Sequence, residues 1–156
     1  MPRLVNPSSD STTLNEGAVD AELLKLMPDP EIEAALASPD ITLEEAIATV
    51  LDGYHDRPAL GERRYRVTTD DTARHVRQYL PEFKTIAYGE LHERVQRLAL
   101  ALRSSERCRI QPGDFVCILG FSGIDYVTVD LACVYARAVS VPLQTTMAPS
   151  DLDVVL

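Results

Sequence analysis

Two short apolar runs, Phe115–Leu119 (FVCIL) and residues 138–143 (AVSVPL), constrain this chain more than any other feature. Neither alternates polar with apolar, so each reads as a strand buried on both faces, rich in β-branched residues. Between them lies a stretch of helical length, opened by Ser122 with Asp125 three residues on as its cap. Two strands joined through a helix share a sheet in parallel, with a right-handed crossover. The predicted class is therefore α/β.

The preceding segment extends the same grammar. TIAYGEL, from Thr85, closes a short strand and opens a helix whose Leu91, Val95, Leu98, Ala99 and Leu102 form one apolar stripe. Gln111-Pro112-Gly113-Asp114 then turns the chain into the first apolar strand.

Upstream of Gly53 the pattern is helical only. Thr42 with Glu45 makes a capping box, and Leu43, Ala46, Ile47, Val50, Leu51 and Tyr54 follow as a single stripe. Asp29 and Pro30 suit the N-cap and first position of a shorter helix. An earlier helical stretch carries Val19, Leu23, Leu24 and Leu26. Residues 1–17, rich in Pro, Ser and Thr, hold too few apolar side chains to offset the entropy of ordering and read as a disordered tail.

Arg57-Pro58-Ala59-Leu60-Gly61 reads as a turn into a short strand. Residues 62–84 read as a polar, Arg-rich solvated connection, with one extended stretch at residues 65–69. At the carboxyl end Pro149, Ser150 and Asp151 open a helix whose first apolar residues are Leu152, Val155 and Leu156, so the chain is expected to stop inside an element. The organisation expected is a tail (1–17), an acidic helical preface (18–56) and the first, truncated part of an α/β domain (57–156).

Charge and composition exclude several function classes. The formal net charge is −9. Residues 1–56 carry 2 basic and 12 acidic side chains, whereas residues 57–156 carry 13 and 12. An acidic arm on a neutral body gives no cationic footprint for nucleic acid. No run approaches eighteen apolar residues and the amino terminus lacks a signal-peptide core, so no membrane span and a cytoplasmic location are expected. Cys108, Cys117 and Cys133 are odd in number and lack Cys-x-x-Cys spacing, which suits free thiols in a reducing compartment, with Cys117 and Cys133 as core filler.

No local pattern supplies a catalytic centre. Ser122 sits in a strand-to-helix turn, as a hydrolase nucleophile would. Yet Ile124 stands where the elbow needs glycine, and His55, His75 and His92 all precede the serine. No Gly-x-x-x-x-Gly-Lys-Ser/Thr or Gly-x-Gly-x-x-Gly is present, and Gly120 and Gly123 are too sparse to cradle a pyrophosphate. The histidines have no metal-ligand spacing. Tyr88 and Tyr126 read as packing residues. The sequence offers no catalytic, cofactor-binding or metal residue of its own.

Taken as a set, GYHDRPALGERR, TIAYGELHERVQRLALAL and PGDFVCILGFSGIDYVTVDLACVYARAVSVPLQTT resemble the amino-terminal part of the adenylate-forming, AMP-binding superfamily of acyl-CoA ligases. With the preface segments LMPDPEIEAAL and LEEAIATVLDGYHDRPALG, the resemblance narrows to carboxylic acid reductases, which are related to fatty-acid-CoA ligases, over about residues 20–156. Tyr88, Glu90 and Leu91 fall on the superfamily's first core motif, with Ala87 where threonine or serine is common. Pro142 and Leu143 match the second, and Arg137 stands where the family has glycine.

Both motifs are structural in that family. The resemblance implies an incomplete parallel βαβ layer of an adenylation-domain N-terminal subdomain, a carboxylic or fatty acid substrate, and ATP with Mg²⁺ in the intact relative. Phosphopantetheine and NADPH join them in a reductase. The phosphate loop, nucleotide contacts and catalytic lysine of the family fall downstream of these motifs, so the chain alone is expected to be inactive. Sheet edges left open by a truncated layer also point to self-association. The competing reading is a free-standing α/β interaction module with an acidic arm.

Overall fold

The computed structural model describes residues 23, 26–107 and 109–146. Helices α1 (Pro30–Leu36) and α2 (Leu43–Gly53) lead into a hairpin of β1 (Pro58–Thr69) and β2 (His75–Ala87). Helix α3 (Tyr88–Ser104), β3 (Phe115–Leu119), α4 (Ile124–Ala136) and β4 (Val139–Leu143) follow. The expected tail, the Val19 to Leu26 helix as a whole, Cys108 and the carboxyl-terminal helical start fall largely outside the described residues.

The local start signals act as their chemistry requires. Asp29 Oδ1 accepts from the Glu31 amide at 2.8 Å, and Pro30 occupies the first turn of α1, where its missing N–H costs nothing. Thr42 Oγ1 accepts from the Glu45 amide at 3.2 Å while Glu45 Oε2 accepts from the Thr42 amide at 2.9 Å, closing the box. The hydrogen bonds from Thr42 hold the Glu45 carboxyl below its ordinary range.

β3 and β4 pair in parallel with Phe115 beside Val139 and Leu119 beside Leu143, as expected for a βαβ unit. α4 packs against them. It ends at Arg137 in the left-handed region (φ 57°, ψ 30°), where the Ala138 amide bonds Cys133 O at 2.8 Å and the Arg137 amide bonds Val134 O at 2.9 Å. These two bonds form a Schellman cap, which normally takes glycine because a side chain is strained there. Arg137→Gly should therefore stabilise the chain by about 1 kcal/mol and raise its thermal midpoint by a few degrees in scanning fluorimetry. An unchanged or lowered midpoint would show that the arginine side chain contributes more than the strain removes.

Two expectations need correction. Residues 62–84 form most of a long antiparallel hairpin rather than an irregular connection, with Tyr65 opposite Tyr79 and Arg63 opposite Phe83, although most of them are exposed as expected. Asp70 Oδ1 closes its turn by accepting from the Thr72 and Arg74 amides at 2.8 and 2.9 Å, leaving Ala73 at φ 60°. Pro81, which cannot donate to a ladder, lies at the register shift beyond Arg63.

The β3–β4 layer is also not buried on both faces. Ile118 is buried, but Phe115 is 74% and Leu119 59% exposed and Cys117 is exposed, because among the described residues no element covers that side. Cys117 is thus not core filler, whereas Cys133 is buried.

The core gathers Leu51 of α2, Ile86 at the hairpin base, Leu91, Val95 and Ala99 of α3, and Ile124 and Ala132 of α4. Within it His92 Nδ1 meets Asp52 Oδ1 at 2.6 Å, and Nε2 lies 2.9 Å from Gln96 Nε2 and 3.0 Å from Tyr135 Oη. The carboxylate fixes the proton on Nδ1, so Nε2 accepts, and this one imidazole ties α2, α3 and α4 together.

Candidate functional site

The places where this sequence could hold chemistry are its strand-to-helix corners. The first lies at Ala87, Tyr88, Gly89, Glu90 and Leu91. Alanine offers no capping oxygen at Ala87, and none is found. The orphan amides are satisfied from the chain instead: Tyr88 N–H donates to Arg57 O at 3.0 Å and Gly89 N–H to His55 O at 2.9 Å. Leu91 is 3% exposed and belongs to the core, Tyr88 packs on Tyr54 with ring centroids 6.0 Å apart, and Glu90 pairs with Arg94 at 2.7 Å. Each residue of this motif is engaged in structure.

The second corner is Gly120 to Ile124, the only place where glycines precede a described helix as a phosphate site would require. Ser122 does not cap α4; Gly123 holds the N-cap position with no side-chain bond of its own. The helix start is satisfied from across the fold, where Glu62 Oε1 of β1 accepts from the Ile124 amide at 2.6 Å. A carboxylate on a helix N-terminus is electrostatically favourable, and it occupies the position an anionic ligand would take. The spacing around Ser122 carried no hint of this contact, since its partners are 62 residues apart in sequence.

The remaining candidates are scattered. Ser122 is exposed, and none of the three histidines hydrogen bonds it. His55 pairs with its neighbour Asp56 at 3.0 Å, and that carboxylate raises its pKa, while His75 begins β2 on the exterior. Burial pushes the Cys133 thiol up, away from thiolate character. Among the described residues no three His, Cys, Asp or Glu side chains gather as a metal site would need. The described residues therefore do not fit ATP with Mg²⁺: there is no phosphate loop, and the one glycine-bearing helix start already carries Glu62. No described helix is long and apolar enough to cross a membrane.

Against this geometry, residues 53–156 match a family described as AMP-binding enzyme. Over 136 residues the chain is 46% identical to the carboxylic acid reductase of Mycobacterium tuberculosis, a match that covers 86% of this chain and 12% of that protein. The solved adenylation domain of carboxylic acid reductase from Segniliparus rugosus, in complex with AMP and a co-purified carboxylic acid, is 33% identical. It superposes with a TM-score of 0.75, covering 88% of this chain and 22% of that one. The corresponding domain from Mycobacterium chelonae is 37% identical with a TM-score of 0.72, over 88% and 21%. The chain spans about 12% of the length of the curated reductases it matches.

Proposed function

The chain belongs to the AMP-binding enzyme family, and from that premise we propose that it is the amino-terminal scaffold of a carboxylate-adenylating domain of the carboxylic acid reductase kind. The observation that carries this reading is the superposition at TM-score 0.75 on an adenylation domain solved with AMP and a carboxylic acid, across 88% of the chain.

In a reductase of this kind ATP with Mg²⁺ would activate the carboxylate, phosphopantetheine would carry the acyl group and NADPH would supply hydride, and a carboxylic or fatty acid would be the substrate.

This chain's own residues build and do not react. Leu91, Val95 and Ala99 form the seam on which the α2 preface and the hairpin meet, and Glu62 fixes α4 to β1. In the second motif, Pro142 and Leu143 end β4 after the Arg137 corner. The division follows function: residues 18–56 form an acidic preface held by His92 through Asp52, and residues 57–156 the first part of the adenylating layer. The protein works in the cytoplasm with free thiols and, taken alone, pairs with its own copies through the open β3–β4 layer.

A chimera tests the reading. Residues 20–156 should replace the matching segment of the Mycobacterium tuberculosis reductase and keep carboxylate-dependent ATP–pyrophosphate exchange within about tenfold of the parent, a barrier change under about 1.4 kcal/mol. A folded chimera that exchanges nothing with acids accepted by the parent would refute it.

A further inference from the structure

The hairpin and the Gly120 to Ile124 turn enclose a cleft of about 690 Å³, within the range of small-ligand sites. Four of the chain's nine tyrosines and phenylalanines line it, namely Tyr65, Tyr79, Phe121 and Tyr126. That concentration is not needed for the core, since Tyr65, Tyr79 and Phe121 are 45%, 54% and 74% exposed.

Arg77 is the cation of this cleft. Its guanidinium lies 4.5 Å from the Tyr65 ring centroid and 5.9 Å from that of Phe121. Arg63 lies 5.8 Å from the Tyr79 ring. Other arginines nearby have polar partners: Arg64 meets Glu82 at 3.8 Å, Arg66 bonds Gln78 at 2.7 Å and Arg74 bonds Thr72 at 3.1 Å. Among the described residues no carboxylate pairs with Arg77. A guanidinium stacked on rings keeps its N–H edge free, in the fork geometry that matches a carboxylate.

The cleft's two acids limit the charge it accepts. Glu62 is held on the Ile124 amide at 2.6 Å, and Asp125 lies 3.9 Å from Arg94. Their presence disfavours a multiply charged phosphate but not a single carboxylate placed at the Arg77 end. We propose that this cleft is a binding site for a monocarboxylate carried on a flat aromatic body, its carboxylate on Arg77 and its ring among Tyr65, Phe121 and Tyr79. This goes beyond the adenylating reading and does not rest on it, and because the ligand class overlaps that reading's substrates, the test measures binding and not turnover.

Equilibrium dialysis of ring-labelled benzoate against the full 156-residue chain provides the test. Binding should saturate, fall about tenfold or more in Arg77→Gln, fall severalfold in Phe121→Leu and stay unchanged in Arg74→Gln, which alters an arginine at the hairpin turn outside the cleft. Benzyl alcohol should compete at least about tenfold more weakly than unlabelled benzoate, and inorganic phosphate should not compete. If circular dichroism shows Arg77→Gln unfolded, Arg77→Lys and Phe121→Leu carry the test, each with a severalfold loss. Absence of saturable binding, full binding in folded Arg77 variants, equal loss in Arg74→Gln, or competition by phosphate as strong as by benzoate would overturn the proposal.

Discussion

Purified alone, the 156-residue chain should leave a size-exclusion column as species heavier than its 17.2 kDa monomer and should bind a hydrophobic dye. The expectation follows from the β3–β4 layer. Parallel strands as apolar as these are normally covered on both faces, yet Phe115, Leu119 and Val139 stand 74%, 59% and 45% exposed on the side away from α4.

Fully burying one Phe or Leu is worth about 1.5–3 kcal/mol, so a contact that covers several of them outweighs the cost of ordering two small partners. Each of the two strands also has an unpaired edge among the described residues, a template for pairing between copies. Phe115→Lys with Leu119→Lys should return the chain to a monomer and abolish dye binding, since both side chains face water and neither substitution buries a charge. Light scattering that gives a monodisperse monomer for the unaltered chain, with cooperative unfolding and no dye response, would mean that the described elements suffice by themselves. It would also favour the free-standing interaction module.

What could be read from the sequence was what depends on neighbours a few residues apart. The Thr42–Glu45 box, the Asp29-Pro30 helix start and the inward stripe of Leu91, Val95 and Ala99 are local, and the structure has them where the spacing places them. The parallel pairing of Phe115–Leu119 with Val139–Leu143 followed from two apolar runs about one helix apart. The arginine in a glycine's place at the α4 corner followed from resemblance, and its dihedrals bear the strain out.

The hairpin was misread because its ribbon is polar on much of both faces. In β1 Arg64 and Arg66 alternate with Tyr65 and Val67, but in β2 Arg77 stands two residues before Tyr79, so the face that carries the aromatic and β-branched residues also carries charge and the period-two signal is masked. The α4 cap was misassigned to Ser122 because the group that holds it, Glu62, arrives through tertiary structure, and a local rule cannot see it. His92 shows the same limit. It sits on the inward stripe of α3, but only the fold brings Asp52 and Tyr135 to its two nitrogens.

The scaffold-only account makes its largest demand on catalysis. Rate acceleration by an adenylating enzyme needs groups that stabilise charge on the α-phosphate and the departing pyrophosphate. Among the described residues the one glycine-bearing helix start is held by Glu62, no carboxylate cluster suits Mg²⁺, and Leu91, Tyr88 and Glu90 are all engaged in packing or pairing.

The most direct measurement is carboxylate-dependent ATP–pyrophosphate exchange by the purified chain with Mg²⁺ and a panel of aromatic and fatty acids. The account predicts a rate indistinguishable from a buffer control at every acid. Exchange that survives repurification and scales with the concentration of this chain would contradict it, and would place a nucleotide site among residues assigned here to structure.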